Sequence, residues 1–353
     1  MTFAPNQFRE VREPGEYREG RWRSFEPRAP IEWTLRGHRV LLRPGLTFTP
    51  YANPTACNAH CSFCSEELLR VDASRLTAKT LIGDFDRYFA GLDRAWSELR
   101  GFEMGLSLSG LEATSDSRWL LRLLALVKRH DELFPSRVLY TNGSGLAKDA
   151  ALIDALSGFT GIELSRAHFD EKLNHLVMRF DRDEPIRETR VFGETVSKIL
   201  NARVPLKLVC IANAQGVSTL KAVERYVDEA RELGVKRVVF RSLSELGDIY
   251  ADNKTSRWIA KNHVSVRALA EQIFPTHGSI RDGWEFVGVT SGYYYSNELY
   301  RRGGVEVVFE AASYVAHDDG VKSGVLQKLV FHSTGDLCGD WVPNAQVIGN
   351  YFE

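Results

Sequence analysis

The chain has 353 residues, of which 44% are hydrophobic and 26% are charged. That length predicts about two domains or one large α/β barrel with additions, and the composition suits a globular protein with a full core. The 45 basic residues are balanced by 46 acidic ones, which argues against a protein that tracks nucleic acid phosphates. No stretch approaches the roughly 18 uninterrupted apolar residues of a membrane span. We therefore expect neither nucleic acid nor a membrane as a partner.

The five cysteines are too sparse for a disulfide scaffold, and three of them lie within eight positions, at Cys57, Cys61 and Cys64. In an intracellular protein, such clustering indicates metal or redox chemistry. An exposed metal–thiolate centre needs reduced thiols. The cysteine usage therefore predicts a reducing compartment, the cytoplasm.

The middle of the chain alternates short apolar runs with amphipathic helical patterns, which is typical of βαβ units and a parallel sheet. A first strand over 46–53 enters the cysteine loop, and a helix follows near 81–99. Ser115 and Asp116 are suitable caps for the next helix. Further strands are predicted at 103–109, 137–140, 161–165, 205–212 and 237–243. Six strand–helix steps predict a partial (β/α)6 barrel of the TIM type.

After about residue 280 the pattern changes to short strands separated by glycine turns. These strands are predicted at 284–290, 293–295, 305–310, 326–332 and 347–352. They indicate a C-terminal antiparallel β appendage that covers the open mouth of the barrel. The expected division is an N-terminal extension (1–45), the partial barrel (46–280) and a substrate-covering β-rich region (281–353).

The cysteine loop has thiols at positions i, i+4 and i+7. Thiolates are the usual ligands of iron–sulfur clusters, which normally take four. Three thiols on one loop would bind three irons of a [4Fe-4S] cluster and leave the fourth iron open to a small molecule. A structural zinc ion is the alternative, although zinc prefers four tetrahedral ligands, usually as two separated pairs. No second pair exists, and His60 would be a fourth ligand only by crowding the same loop.

The loop resembles the Cx3Cx2C loop of the radical S-adenosylmethionine (SAM) superfamily, including Phe63 before the last cysteine. The resemblance extends over about 45–245. The stretch from Ser109 to Ala113 is similar to the family's Gly-Gly-Glu-Pro, with Leu111 and Ala113 in place of the second Gly and the Pro. A Thr-Asn-Gly turn follows the third strand. The resemblance implies that SAM binds the open iron and contacts Phe63, Ser109, Gly110, Glu112, Asn142, Ser165 and Arg179.

The resemblance also implies the chemistry: reductive cleavage of SAM to a 5′-deoxyadenosyl radical, which abstracts a hydrogen atom from the substrate. An electron donor such as flavodoxin or ferredoxin is implied as a partner. Only Cys210 and Cys338 remain for an auxiliary cluster, which disfavours peptide-modifying members that carry one. We therefore expect a small polar substrate of the sugar, aminocyclitol or nucleoside type, as in natural-product biosynthesis.

Cys338 lies in a turn-rich stretch after an apolar strand. Radical epimerases use a thiol to return a hydrogen atom to the opposite face of the substrate, which makes Cys338 a candidate donor; the alternative is a buried small hydrophobe. Cys210, in mid-strand, is expected in the core. A dehydrogenation, elimination or decarboxylation would need no thiol, and a zinc-stabilised binding module would need no SAM. Candidate substrate contacts are Tyr293, Tyr294, Tyr295, Glu298, Tyr300, Glu310, Tyr314, His317, Asp318, His332 and Asp340.

Overall fold

A computed structural model of the chain describes residues 14–19, 21–25, 28–68, 80–244, 246, 252–292, 294–313 and 322–353. Fifteen strands in these ranges join one sheet. The strands are β1 (Gly15–Arg18), β2 (Arg21–Ser24), β3 (Ile31–Leu35), β4 (His38–Pro50), β5 (Gly105–Leu108), β6 (Ser136–Thr141), β7 (Gly161–Ser165), β8 (Leu206–Ala212), β9 (Arg237–Ser242), β10 (Trp284–Ser291), β11 (Tyr295–Arg302), β12 (Val305–Ala312), β13 (Val325–Phe331), β14 (Asp336–Cys338) and β15 (Val347–Asn350).

The helices lie mostly between successive strands of the barrel. They are α1 (Phe85–Glu98), α2 (Ser117–Arg129), α3 (Ser144–Lys148), α4 (Ala151–Ala155), α5 (Glu171–Met178), α6 (Thr189–Asn201), α7 (Leu220–Glu232), α8 (Lys254–Asn262) and α9 (Val266–Ile273). Asp116 accepts a hydrogen bond from the Trp119 amide, and Thr219 accepts one from the Ala222 amide. These side chains cap α2 and α7 by satisfying amides that lack an intrahelical partner. No helix within the described ranges combines the length and apolar character needed to cross a bilayer.

The parallel core and the antiparallel C-terminal strands are confirmed. Strands β4 to β9 pair in parallel in chain order. Strands β10 and β11 form antiparallel pairs, as do β14 and β15. The predicted strand at 293–295 differs from β11, which begins at Tyr295 and runs to Arg302, and Tyr293 lies outside the described residues.

The C-terminal region is more than an antiparallel appendage. Strand β12 pairs in parallel with β9, and β13 pairs in parallel with β4. The parallel array is therefore eight strands wide, in the order β13-β4-β5-β6-β7-β8-β9-β12. Residue patterning could not reveal this, because alternation reports which face of a strand is buried and not the direction of its neighbour.

The two faces of this parallel array differ in chemistry. The face that packs on the helices, here called the outer face, is apolar: the Phe48 ring lies 5.8 Å from Trp96 of α1, and the Phe240 ring lies 5.3 Å from Tyr226 of α7. The outer-face residues Phe48, Leu106, Leu139, Leu164, Leu208, Phe240, Val307 and Leu329 belong to one buried core. Because side chains alternate along a strand, the residues between them form the inner face.

Candidate active site

The cysteine loop leaves the carboxyl end of β4 and is held by backbone hydrogen bonds to the end of α5. The His60 amide donates to the Arg179 carbonyl (3.1 Å), the Ser62 amide donates to the Val177 carbonyl (2.9 Å) and the Asp181 amide donates to the Asn58 carbonyl (3.0 Å). Arg179 ends α5 in the left-handed conformation, with φ of 51°. The sequence suggested a side-chain role for Arg179, but it gave no sign of this backbone pairing.

The three thiols of the loop are half-buried and close enough to affect one another. Burial, and next the Glu112 carboxylate, raise the pKa of Cys57 to about 12. Burial, and next the charges of Cys64 and Cys57, raise the pKa of Cys61 well above its usual value. Three soft thiol ligands on one loop fit an iron–sulfur cluster in ligand chemistry. Among the described residues, no three His, Cys, Asp or Glu side chains are arranged to hold a single metal ion.

Gly110 follows β5 and lies against the chain that leads into the cysteine loop. The Ala52 amide donates to the Ser109 carbonyl, and the Leu111 amide donates to the Ala52 carbonyl, each at 3.0 Å. Gly110 has φ of 132°, and a Cβ there would lie 2.7 Å from the Ala52 nitrogen. Only glycine permits this approach. The loop after β5 is thus joined directly to the start of the cysteine loop.

Glu112 links the loops after β5 and β6. Its Oε1 accepts hydrogen bonds from the Thr114 amide (3.0 Å), the Thr114 hydroxyl (2.7 Å) and the Thr141 hydroxyl (2.6 Å). Its Oε2 accepts one from the Asn142 amide (2.7 Å). Burial raises the pKa of Glu112, and these hydrogen bonds act to lower it. The carboxylate that the sequence suggested as a SAM contact therefore has protein partners on both oxygens.

Asn142 extends this connection to the cysteine loop itself. Its Nδ2 donates to Oδ1 of Asn58 (2.9 Å), and its Oδ1 accepts from the Ser144 amide (2.9 Å). The chain from Glu112 through Asn142 to Asn58 runs along the carboxyl edge of the sheet, where barrel active sites form. The structure thus brings the motifs after β4, β5 and β6 together.

The other predicted cofactor contacts lie at the same edge in different environments. Ser165 ends β7, and Phe63 packs partly buried in a cluster with Leu243 beyond β9. The Arg179 side chain is exposed. His60 pairs with Asp181 at 3.2 Å, with both side chains more than half exposed.

The two remaining cysteines lie on opposite faces of the sheet. Cys210 belongs to the outer-face core, and its thiol lies 3.3 Å from the Ala167 carbonyl oxygen. Cys338 pairs with Val330 across β14 and β13. Val330 is on the inner face because its neighbours Leu329 and Phe331 belong to the outer core, and antiparallel partners share a face. Burial, and next Asp336, raise the pKa of Cys338 to about 12.

A network of charged side chains on the inner face was not predicted as a unit. Glu163 of β7 pairs with Lys207 of β8 (3.2 Å) and with Arg241 of β9 (3.3 Å), and Arg241 also pairs with Glu310 of β12. Burial acts to lower the pKa of Arg241, but Glu310 and Glu163 raise it. The alternation of polar and apolar residues in β7, β8 and β9 could have predicted that these charged side chains share one face.

The suggested substrate contacts do not all lie on one face of the sheet. Glu310 lies on the inner face, whereas Glu298 and Tyr300 pair with the outer-face residues Phe309 and Val307 and bond to each other at 2.7 Å. His332 stacks on Tyr51 at 5.6 Å beside the carboxyl end of β13. Tyr293, Tyr314, His317 and Asp318 lie outside the described residues.

No protein-family model matches the chain, and no curated protein sequence matches it significantly. Solved structures that are similar in fold include the following two. SuiB of Streptococcus suis bound to the precursor peptide SuiA has a TM-score of 0.51 at 15% identity, over 89% of this chain and 64% of SuiB. The chain thus spans less than two thirds of SuiB. The native anSMEcpe structure with bound AdoMet has a TM-score of 0.51 at 14% identity, over 87% of this chain and 78% of that one.

Both similar proteins are radical SAM enzymes. They share with this chain a parallel sheet that forms a partial barrel. The architecture predicted from the alternation of strands and helices is therefore found in solved structures of that superfamily. The chain has the fold of the radical SAM enzymes.

Proposed function

We propose that the chain is a radical SAM enzyme with one [4Fe-4S] cluster on Cys57, Cys61 and Cys64. The observation that carries this proposal is the three-thiol loop at the carboxyl edge of a sheet with the radical SAM fold. When bound, the cluster and SAM supply a 5′-deoxyadenosyl radical by one-electron reduction. The chain's own task is to position SAM and one substrate C–H bond and to exclude water.

The residues at this edge have distinct proposed roles. Ser109 and Gly110 present backbone to the methionine part of SAM, because Gly110 has no side chain in the way. Glu112 and Asn142 hold the turns that carry those contacts, through the hydrogen bonds that reach Asn58. Arg179 is exposed and available to the SAM carboxylate as a bidentate donor, and Phe63 and Ser165 border the same space.

The reaction proposed is epimerisation of a small polar substrate, with Cys338 as the hydrogen-atom donor. The observation that supports it is the position of Cys338 on the inner face, in register with Val330. The S–H bond breaks as the new C–H bond forms on the substrate radical. The remaining thiyl radical regains one electron, from a donor such as flavodoxin or ferredoxin, and one proton.

Anaerobic reconstitution tests the cofactor proposal without a known substrate. The full chain, supplied with iron, sulfide, SAM and dithionite, should bind about four irons and release 5′-deoxyadenosine. Zinc binding in place of iron and sulfide, with no 5′-deoxyadenosine, would support the zinc-stabilised binding module instead.

Deuterium labelling tests the role of Cys338. In D2O the reconstituted enzyme, given a small-molecule extract, should produce a SAM-dependent metabolite that is one mass unit heavier. Cys338→Ala should abolish that label while 5′-deoxyadenosine is still formed, and the matched outer-face variant Cys210→Ala should keep it. A product with the mass loss of a dehydrogenation, elimination or decarboxylation, unaffected by Cys338→Ala, would favour that alternative. A label transferred only to added peptides would favour a peptide substrate, the class seen bound to SuiB.

A further inference from the structure

The inner-face network, defined as Glu163, Lys207, Arg241 and Glu310, lies at the level where a substrate would meet the reactive edge. Glu163 is two residues before the end of β7, and Arg241 is one residue before the end of β9. Three of its side chains keep accessible surface: Lys207 30%, Arg241 28% and Glu310 22%. The network therefore presents charged groups to the space enclosed by the sheet.

The charges of this network cancel within it. Two cations and two carboxylates alternate along the chain of ion pairs, in the order Lys207, Glu163, Arg241 and Glu310. Each cation contacts at least one carboxylate, and Arg241 contacts both. A ligand with a net charge would leave one partly buried charge uncompensated, which is costly in a poorly solvated site.

A hydroxyl group meets this arrangement without that cost. It donates one hydrogen bond and accepts others, so it can bridge a carboxylate oxygen and a neighbouring ammonium or guanidinium while every ion pair stays intact. Asn297, the partner of Glu310 across β12 and β11, adds an acceptor. Its buried Oδ1 has no hydrogen-bond partner within the described part of the chain. Adjacent hydroxyls of one ring would contact several of these groups at once.

We propose that the inner-face network selects a neutral, polyhydroxylated ring as the substrate and rejects charged analogues. This inference rests on the proposed function and narrows its substrate class from sugars, aminocyclitols and nucleosides to neutral polyols. Glu163 and Arg241 form the centre of the site, while Lys207 and Glu310 at its two ends set the charge balance.

The test is a comparison of three probes of similar size on the full-length reconstituted protein: myo-inositol (neutral), 2-deoxystreptamine (cationic) and D-glucuronate (anionic). Saturation-transfer NMR titrations measure their affinities. The wild type should prefer myo-inositol over each charged probe by about tenfold or more, because an uncompensated charge in a partly buried site is strongly disfavoured. Equal affinities, a preference for a charged probe, or no binding by any probe would overturn the proposal.

Variants that change the charge of the network in opposite directions should shift the probe preference in opposite directions. Lys207→Met leaves the network one unit negative and should shift the preference toward 2-deoxystreptamine, whereas Glu310→Gln leaves it one unit positive and should shift it toward D-glucuronate. The double variant restores neutrality and should return the preference to myo-inositol. The matched control is Glu306→Gln, which removes the 2.5 Å ion pair with Arg237 on the same face of the same two strands, four residues before Glu310.

The control defines the remaining outcomes. Glu306→Gln should leave the probe preference unchanged, and an equal shift there would mean that the network has no local role. Failure of this inference is separable from failure of the proposed function. A protein that releases 5′-deoxyadenosine but shows no charge-dependent preference would refute only the substrate class. One that shows the preference but cleaves no SAM would refute only the radical chemistry.

Discussion

The outer face of the parallel sheet is packed with buried apolar side chains, whereas the inner face places charged side chains beside the buried valines Val209, Val239 and Val308. On the outer face, aromatic and aliphatic side chains pack against helices, and the buried thiol of Cys210 lies among them. On the inner face, the ion network of Glu163, Lys207, Arg241 and Glu310 lies on strands of the same sheet. Apolar burial stabilises a fold, whereas buried charge is weak evidence for stability. Apolar packing on the outer face should therefore contribute more to stability than the inner-face ion network, which we propose for substrate recognition.

The largest expected effect is on 5′-deoxyadenosine formation, which should depend on Cys61 of the loop and not on Cys210 of the outer face. Cys61→Ala should lower 5′-deoxyadenosine formation by about a hundredfold or more, because three protein ligands are the minimum for this kind of cluster. Cys210→Ala should keep iron, sulfide and 5′-deoxyadenosine near wild-type levels. The measurement is cluster content and 5′-deoxyadenosine after anaerobic reconstitution. Full activity in Cys61→Ala would contradict the proposal that Cys61 is a ligand of the cluster.

Neighbouring residues of β4 test the two faces for stability. Phe48→Ala should lower the free energy of unfolding by about 3–5 kcal/mol, because it empties a fully buried aromatic site beside Trp96 and Phe134. Thr47→Ala, on the exposed inner side of the same strand, should cost no more than about 1 kcal/mol. Urea unfolding of the two variants gives the comparison. Similar losses would contradict the division between the faces.

The buried His332 should make the stability of the fold depend on pH. Burial lowers its pKa to about 4, against the opposing effect of the Asp340 backbone and nearby carboxylates; in the unfolded chain the value is about 6.5. The unfolded state therefore binds the proton first, and the stability present above pH 6.5 is lost as the pH falls toward 4. By linkage, the loss at pH 4.5 is about 2.5 kcal/mol.

The matched variant for this prediction is His332→Phe, which keeps a ring against Tyr51 and removes the titration. Urea unfolding at pH 7 and pH 4.5 should show the wild type losing more stability than the variant by that difference. Parallel pH profiles of the two proteins would mean that His332 is not held neutral in the fold.

The smallest effect concerns the outer helices. Asp116→Ala removes the side chain that accepts from the Trp119 amide at the start of α2 and should cost about 1 kcal/mol. Asp116→Asn keeps an acceptor and should cost only a few tenths of a kcal/mol. Both variants should retain the probe preference of the inner-face network. A changed preference would show that the outer layer also controls recognition.

The sequence by itself determined the cysteine loop, the approximate positions of the strands β4 to β9, the Asp116 cap of α2 and the order of the motifs at the carboxyl edge. These features depend on the spacing of residues, on the alternation of polar and apolar residues and on capping side chains, all of which are visible in short segments of sequence. The bounds of β7 were predicted to the residue. The backbone hydrogen bonds between the cysteine loop and the end of α5 were not predicted. Backbone pairing between distant segments leaves no side-chain pattern in the sequence.

Only the tertiary structure decided which residues share a face. It placed Cys338 on the inner face and Cys210 on the outer one, moved Glu298 and Tyr300 away from the expected site, and extended the parallel array with β12 and β13. Four charged residues from four strands, 147 positions apart at the extremes (163 to 310), became one network. Strand order and register bring them together, and both depend on how distant segments pair.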